Sequence, residues 1–245
     1  MKTIALTIDD RIIRVFADVR AGGFVVDGLD RLTSVTDAIM QCSLDARMAF
    51  EQAGISLQNL TETPRIRGWR SAFKAMGIKP STYKSSAEQL GRRILKDEHI
   101  STPLPVVSLY CAVSAKYLAP LGGYDIDRLP EQRIVLRFAS PDSDSFNPLS
   151  GRKEEMPLRP DVAVYASDRE VICWGFNHRD SANTCLRPET SSAVFLGEAV
   201  TREQHEPLTH ALSELRELFL THGAVAGNVV IATRETGPVE LSVQH

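Results

Sequence analysis

Asn177, His178, Arg179 and Asp180 stand in an unbroken row behind the strand-like run Val171-Ile172-Cys173-Trp174 and Gly175. An amide, an imidazole, a guanidinium and a carboxylate in sequence can serve a polar pocket. The imidazole exchanges a proton near neutrality, the guanidinium meets phosphate or carboxylate, and the carboxylate meets ammonium. A solvated turn uses the same residue types, and Arg179 and Asp180 can simply pair with each other at the surface. Glu198 sits late in the otherwise apolar run "SAVFLGEA". A carboxylate there is costly unless it is paired, lines a cavity or reaches water at the strand end. Gly122-Gly123, just behind Pro120, permits a sharp turn or a close backbone approach to a ligand.

A second group of residues suggests an anionic partner. Between Arg65 and Lys96 there are nine Lys/Arg and one acid, Glu88, so this segment carries +8 in a chain of net charge -3 and the remainder carries -11. Trp69, Phe73 and Tyr83 are interleaved with the cations. Cations neutralise phosphates and aromatics stack on unpaired bases, which makes Arg67, Arg70, Lys74, Lys79, Lys84, Arg92 and Arg93 candidate RNA contacts. A basic helix with its aromatics in the core has the same pattern.

Composition narrows the classes. The chain has 245 residues, 43% hydrophobic and 24% charged, as expected of a globular protein with a real core. No apolar run reaches the roughly 18 residues of a membrane span. The start "MKTIALTIDDRIIRV" has no signal-peptide core, so a cytoplasmic protein is expected. Cys42, Cys111, Cys173 and Cys185 form no C-x-x-C pair, and His205 and His210 are five apart. Free thiols, no metal and no cofactor are expected. Nucleotide-binding glycine motifs and G-x-S-x-G are absent.

The elements that must position these groups follow from periodicity. "TIALTI", "RIIRVFADV" and "GFVVDGL" read as strands and turns. Residues 33–53 read as a helix with Val35, Ile39, Met40, Leu44, Met48 and Ala49 on one apolar face. Further helices are expected in "WRSAFKAMGIKPS", from Ser85 to about Lys96, in the apolar stretch that stops at Pro120, and from Pro207 to His222. Strands are expected in "RIVLRFA", "VAVYA", "EVICW", "SAVFLGEA", "NVVIAT" and "VELSV", with the strands ending at Trp174 and at Glu198 as sheet neighbours. Irregular mixing of helices and strands predicts an α+β fold with a mixed, mostly antiparallel sheet and flanking helices. Residues 1–60 form an α/β lead-in and 61–245 the main domain.

The ordered set "GWRSAFKAMGIKPSTYKSSAEQLGRRIL", "VVSLYCAVSAKYLAPLGGYDIDRL", "IVLRFA", "VICWGFNHRDS" and "ETSSAVFLGEA" resembles the B3/B4 domain of the phenylalanyl-tRNA synthetase beta subunit, and the free-standing B3/B4 proteins more closely. The resemblance covers about residues 60–200. It implies a B3/B4-like fold, and metal-independent hydrolysis of the ester of a mischarged tRNA, acting in trans, with aminoacylated tRNA as partner. It places Glu198 where the synthetase glutamate contacts the amino-acid side chain. The synthetase's Thr-Asn pair becomes Tyr110-Cys111, and the histidine of its "QP-x-HAFD" becomes Gly122, with Pro120 and Asp125 kept. Asn177, His178, Arg179 and Asp180 are then expected to replace the lost polar groups. His178 or Asn177 would hold the attacking water, with Gly122, Gly123, Tyr110, Cys111 and Trp174 around the aminoacyl group. Two further readings remain: an RNA-binding module without catalysis, and a binder or hydrolase of a free amino-acid derivative.

Overall fold

The structure is a computed structural model that describes residues 2–243. Two sheets face each other, and helices cover the back of one of them. In the six-stranded sheet the order is β11 (Val239–Ser242), β1 (Thr3–Ile8), β4 (Arg133–Phe138), β5 (Ala163–Ser167), β6 (Glu170–Trp174) and β7 (Arg179–Asp180). β1 and β4 run parallel and the other pairs antiparallel. The five-stranded sheet is antiparallel: β10 (Val230–Ala232), β2 (Arg20–Asp27), β8 (Ser192–Ala199) and β3 (Leu121–Asp125), with β9 (Val225–Ala226) also on β2. The fold is α+β with mostly antiparallel sheets. Residues 1–60 supply β1, paired on both sides in one sheet, and β2, paired on both sides in the other.

Strand alternation separates two cores. Along β8, Val194 and Leu196 face the six-stranded sheet, and Ala193, Phe195 and Ala199 face the helices. Behind β8 lie α2 (Thr36–Gln52), α4 (Ser86–Leu95), α5 (Pro105–Tyr117) and α6 (His205–Thr221). α3 (Pro64–Ala75) lies at the junction: Ile66 joins the helical core, while Trp69, Ala72 and Phe73 join the core between the sheets.

Four expectations are corrected. "RIIRVFADV" is not a strand but contains a six-residue helix, α1 (Asp10–Val15), capped by Asp9 accepting from Arg11 N. α2 forms as expected but turns the other way. Cys42, Ala46 and Phe50 are buried, while Met40, Leu44 and Met48 are exposed. Lys116 of α5 draws α2 in on that side by bonding Asp45 of α2 and Glu214 of α6 at 2.8 and 2.9 Å. Gly122 and Gly123 do not turn; they lie within β3. Lastly, β6 and β8 belong to different sheets, so the residues following Trp174 meet Glu198 by packing across the sandwich.

Candidate functional site

The β6–β7 hairpin is closed by residues 175–178. Gly175 and Phe176 both have positive φ, +64° and +59°, which sends the chain back at once. Such a backbone is uncommon for phenylalanine. Packing holds it there, since the buried Phe176 ring meets Phe16 and Trp69 edge-on at 5.2 and 5.5 Å. Phe176 thus pins the turn, and Asn177 directly after it is set facing Glu198 of β8.

Glu198 reaches the sandwich interior because it shares the face of Val194 and Leu196. It is 4% exposed. Its carboxylate accepts from Asn177 Nδ2 at 2.7 Å and from the Tyr165 hydroxyl at 3.1 Å. Burial pushes the carboxyl up to about 7; the two hydrogen bonds pull it down and the charge of Asp180 pushes it further up. Asp180 accepts from the Tyr124 hydroxyl at 3.0 Å, and burial raises its carboxyl too.

These groups line one cavity of about 230 Å³. At about 30 Å³ per water this is room for about eight waters, or one group of amino-acid size. Its wall brings together Glu198, Asn177, His178, Arg179, Asp180, Gly122, Tyr110 and Cys111 from the expected set. Arg93, assigned to RNA from sequence, lies in this wall as well. Ser86 Oγ and Arg179 Nε in the wall are buried with no partner.

His178 is held by three contacts. Its ring packs against Tyr83 at 5.3 Å and Trp174 at 5.6 Å, and Nδ1 lies 2.8 Å from the Lys84 carbonyl. A carbonyl only accepts, so Nδ1 carries the proton and Nε2 keeps its lone pair in the neutral ring. Burial lowers the imidazole below its ordinary value, as do the charges of Arg179 and Lys84, against the carbonyl bond. The result is a neutral base in the cavity wall. Asn177 is committed at both ends of its amide: Nδ2 holds Glu198 and Oδ1 lies 3.3 Å from the Ser86 amide. It positions Glu198 and α4 and is not free to hold a water through both groups.

Other assignments move. Trp174 is buried behind His178, donates from Nε1 to the Pro157 carbonyl, and is not among the lining residues. Gly123 also lies outside the lining; a Cβ there would meet Phe195 at 2.7 Å, so this glycine serves the helical core. Gly122 lines the cavity, but a Cβ would come within 2.7 Å of the Tyr124 hydroxyl. The space over Gly122 therefore admits the phenol that holds Asp180, and not ligand backbone. Arg70 and Arg92 do not face solvent as an RNA pair. Both bond Glu88, which is fully buried, at 3.0 Å. Trp69 and Phe73 are core residues and offer no stacking face. Lys84 bonds the Ser81 carbonyl from its ammonium, while Arg67, Lys74 and Lys79 are exposed.

Tyr124, Tyr165, Ser86 and Cys173 were not anticipated. The tyrosines read as ordinary strand formers, and only the pairing of β3 and β5 with their neighbours aims their hydroxyls at carboxyls. All four cysteines are free. Among the described residues no three His, Cys, Asp or Glu side chains are grouped as a metal ligand set, and no helix is long and apolar enough to cross a membrane.

The fold and the cavity define an α+β sandwich with an amino-acid-sized polar pocket between its sheets. A family model, the B3/4 domain, matches residues 68–212, more than half of the chain, and the chain belongs to that family. The match spans the basic segment from Gly68, the α5–β3 stretch, both strands of the hairpin and Glu198. Among solved structures, the chain is similar to an N-terminal fragment of the phenylalanyl-tRNA synthetase beta-subunit from Pyrococcus horikoshii, at 12% identity and a TM-score of 0.47. That likeness covers 98% of this chain and 54% of the other, so the chain spans about half that fragment's length. No curated protein matches the chain.

Proposed function

We propose that this B3/4 domain protein hydrolyses the ester of mis-aminoacylated tRNA in trans. The observation that carries the reading is the shared cavity wall of a neutral His178, the buried carboxyl of Glu198 and the half-buried carboxyl of Asp180. In this reading the aminoacyl group enters the cavity with its ester carbonyl near His178. Nε2 takes a proton from water as the water oxygen bonds the carbonyl carbon. The bond from that carbon to the ribose oxygen then breaks, and the proton passes to the departing hydroxyl. Amino acid and uncharged tRNA are the products. Arg93 and Arg179 in the wall suit a nearby phosphate. Exposed Arg67, Lys74 and Lys79 suit the rest of the tRNA backbone. A second sieve of this kind raises fidelity where one pocket cannot separate similar amino acids.

A second reading, action on a free amino-acid derivative without RNA, is favoured by one specific finding. The basic segment spends Arg70 and Arg92 on Glu88 and buries Trp69 and Phe73, which shrinks the surface available to RNA. One assay separates the two. Purified protein is offered a panel of aminoacyl-tRNAs and the matching aminoacyl methyl esters, and released amino acid is followed. The deacylase reading expects at least one aminoacyl-tRNA to be cleaved well above its spontaneous rate and its methyl ester far more slowly. Equal cleavage of both forms supports the second reading, and no cleavage of any tRNA ester overturns the first.

A further inference from the structure

The carboxylates withdrawn from solvent are satisfied in more than one way, and Asp125, 6% exposed and outside the cavity wall, accepts from the Asp127 amide and Thr190 Oγ1 as the cap of its own turn. Glu88 is fully buried and is met by Arg70 and Arg92; Asp144, 1% exposed at its side chain, is met by Arg137 at 2.7 Å. These acids have structural partners of opposite charge. Glu198 and Asp180 are different. Their hydrogen-bond donors are Asn177, Tyr165 and Tyr124, all neutral. Nearby cations turn elsewhere: Arg179 donates to Ser150 Oγ at 2.7 Å, and Arg93 bonds the His99 carbonyl and pairs with Glu98. Both carboxyls line the cavity, and the same wall contains two buried polar atoms without a partner, Ser86 Oγ and Arg179 Nε. A buried charge requires a counter-charge. Here no cation bonds either carboxyl: Asp180 feels the charge of Arg179 without a direct bond, and Glu198 has only neutral donors, which leaves a place for a cation from outside.

We propose that Glu198 and Asp180 form a binding site for a primary ammonium group, which bridges the two carboxylates with Tyr124 and Tyr165 around it. This rests on reading the cavity as an aminoacyl site, and it names the charge of the group admitted. An ammonium presents three donors and no acceptor, which suits two carboxylates and a phenol oxygen. The ammonium is either the α-amino group or the end of a basic side chain. The other titratable groups facing the pair are Cys173 of β6, Tyr110 and Cys111 of α5, and His178 and Arg179 of the hairpin. The three from β6 and α5 are neutral, because burial raises their phenol and thiol groups. His178 is lowered toward its neutral form, and Arg179 is directed to Ser150. Ammonium binding moves one proton: neutral Glu198 gives its proton to the buffer as it becomes the carboxylate partner.

Calorimetric titration at pH 6 in two buffers of different ionisation enthalpy tests this on the whole protein. The probes are amino-acid amides, which cannot be cleaved as esters. Norleucinamide carries only the α-ammonium, Nα-acetyl-lysinamide only the side-chain ammonium, lysinamide both and Nα-acetyl-norleucinamide neither. The expected result is that at least one ammonium-bearing amide binds about tenfold or more tightly than the neutral one, with about one proton released. Glu198→Gln should abolish the release, and Asp180→Asn should weaken binding about tenfold. The wild-type proton count stands even if a variant folds poorly. Equal binding of all four amides, binding without proton release, or no binding overturns the site. The companion assay uses aminoacyl-tRNA with and without an Nα-acetyl cap. If no aminoacyl-tRNA is cleaved while ammonium-bearing amides still bind, the deacylase reading falls and the ammonium site stands. If the deacylase works while the amides fail, the reverse holds.

Discussion

Glu198→Gln tests the electrostatics of the cavity independently of any substrate. Burial raises the Glu198 carboxyl from its ordinary 4.5 to about 7. Between those two values the folded protein keeps a proton that the unfolded chain has released. The unfolded state therefore binds fewer protons, and stability falls as pH rises through this window. Below 4.5 both states are protonated and there is no penalty. Above about 7 the penalty is complete, and a carboxyl moved this far corresponds to about 3 kcal/mol. Glutamine resembles the protonated acid, with its Oε1 accepting from Asn177 Nδ2 and its amide nitrogen donating to the Tyr165 oxygen, but never ionises. Asp180 is common to both proteins and cancels to first order. Urea unfolding of wild type and variant should give similar stabilities at pH 5, with glutamine more stable by about 3 kcal/mol at pH 8. In a chain of this size that corresponds to a melting temperature about 6–12 °C higher. If the difference between the two proteins is the same at pH 5 and pH 8, the carboxyl does not titrate in this window. The neutral resting state, and the proton release argued from it, would then be wrong.

Three further outcomes follow from the same contacts. Arg70→Ala leaves the fully buried Glu88 with one cation fewer and should cost about 3 kcal/mol in denaturant, while Lys74→Ala should stay within about 0.5 kcal/mol; equal effects would deny Glu88 its structural role. Gly122→Ala drives a Cβ against the Tyr124 hydroxyl and should destabilise by about 1–3 kcal/mol while loosening Asp180, read as a melt and as weakened ammonium binding; a neutral melt with unchanged binding would show that Tyr124 yields freely. His178→Ala should slow aminoacyl-tRNA cleavage about 100-fold or more with tRNA affinity unchanged in a gel shift, and unchanged cleavage would remove His178 as the base.

Element types were readable wherever one side of the chain is plainly apolar. Strands β4, β5, β6 and β8 and helices α3 to α6 are where periodicity puts them, while the short β7 falls in what reads as a polar turn. Failures came where small residues or capping decided the outcome. α2 exposes Met40, Leu44 and Met48 because its close approach to the other helices uses Cys42, Ala46 and the salt bridge at Asp45, which a count of large apolar residues cannot detect. In "RIIRVFADV" the Asp9 cap starts a helix across a run whose composition suits a strand. The basic segment misled for a related reason. Formal charge counts Arg70 and Arg92 as free surface cations, but Glu88, the only acid in that segment, is buried beneath them and engages both half-buried guanidinium groups.

The candidate site was legible as a list and not as an arrangement. Sequence pointed to Glu198 and to the row from Asn177 to Asp180, and it joined them by the wrong geometry, as neighbours in one sheet. The structure joins them across two sheets, and this difference has a chemical consequence. Neighbours in one sheet would share backbone bonds and leave their side chains on a common surface, open to water. Facing sheets bring the same side chains together in the core, where desolvation raises Glu198 and Asp180 and lowers His178. A Glu198 carboxyl that titrates near neutrality, an Asp180 carboxyl shifted upward and an imidazole shifted toward its neutral form then share a wall. That combination is suited to admitting a cation at one end and taking a proton from water at the other. It exists only because Phe176, in a backbone conformation phenylalanine seldom adopts, anchors the turn between the sheets.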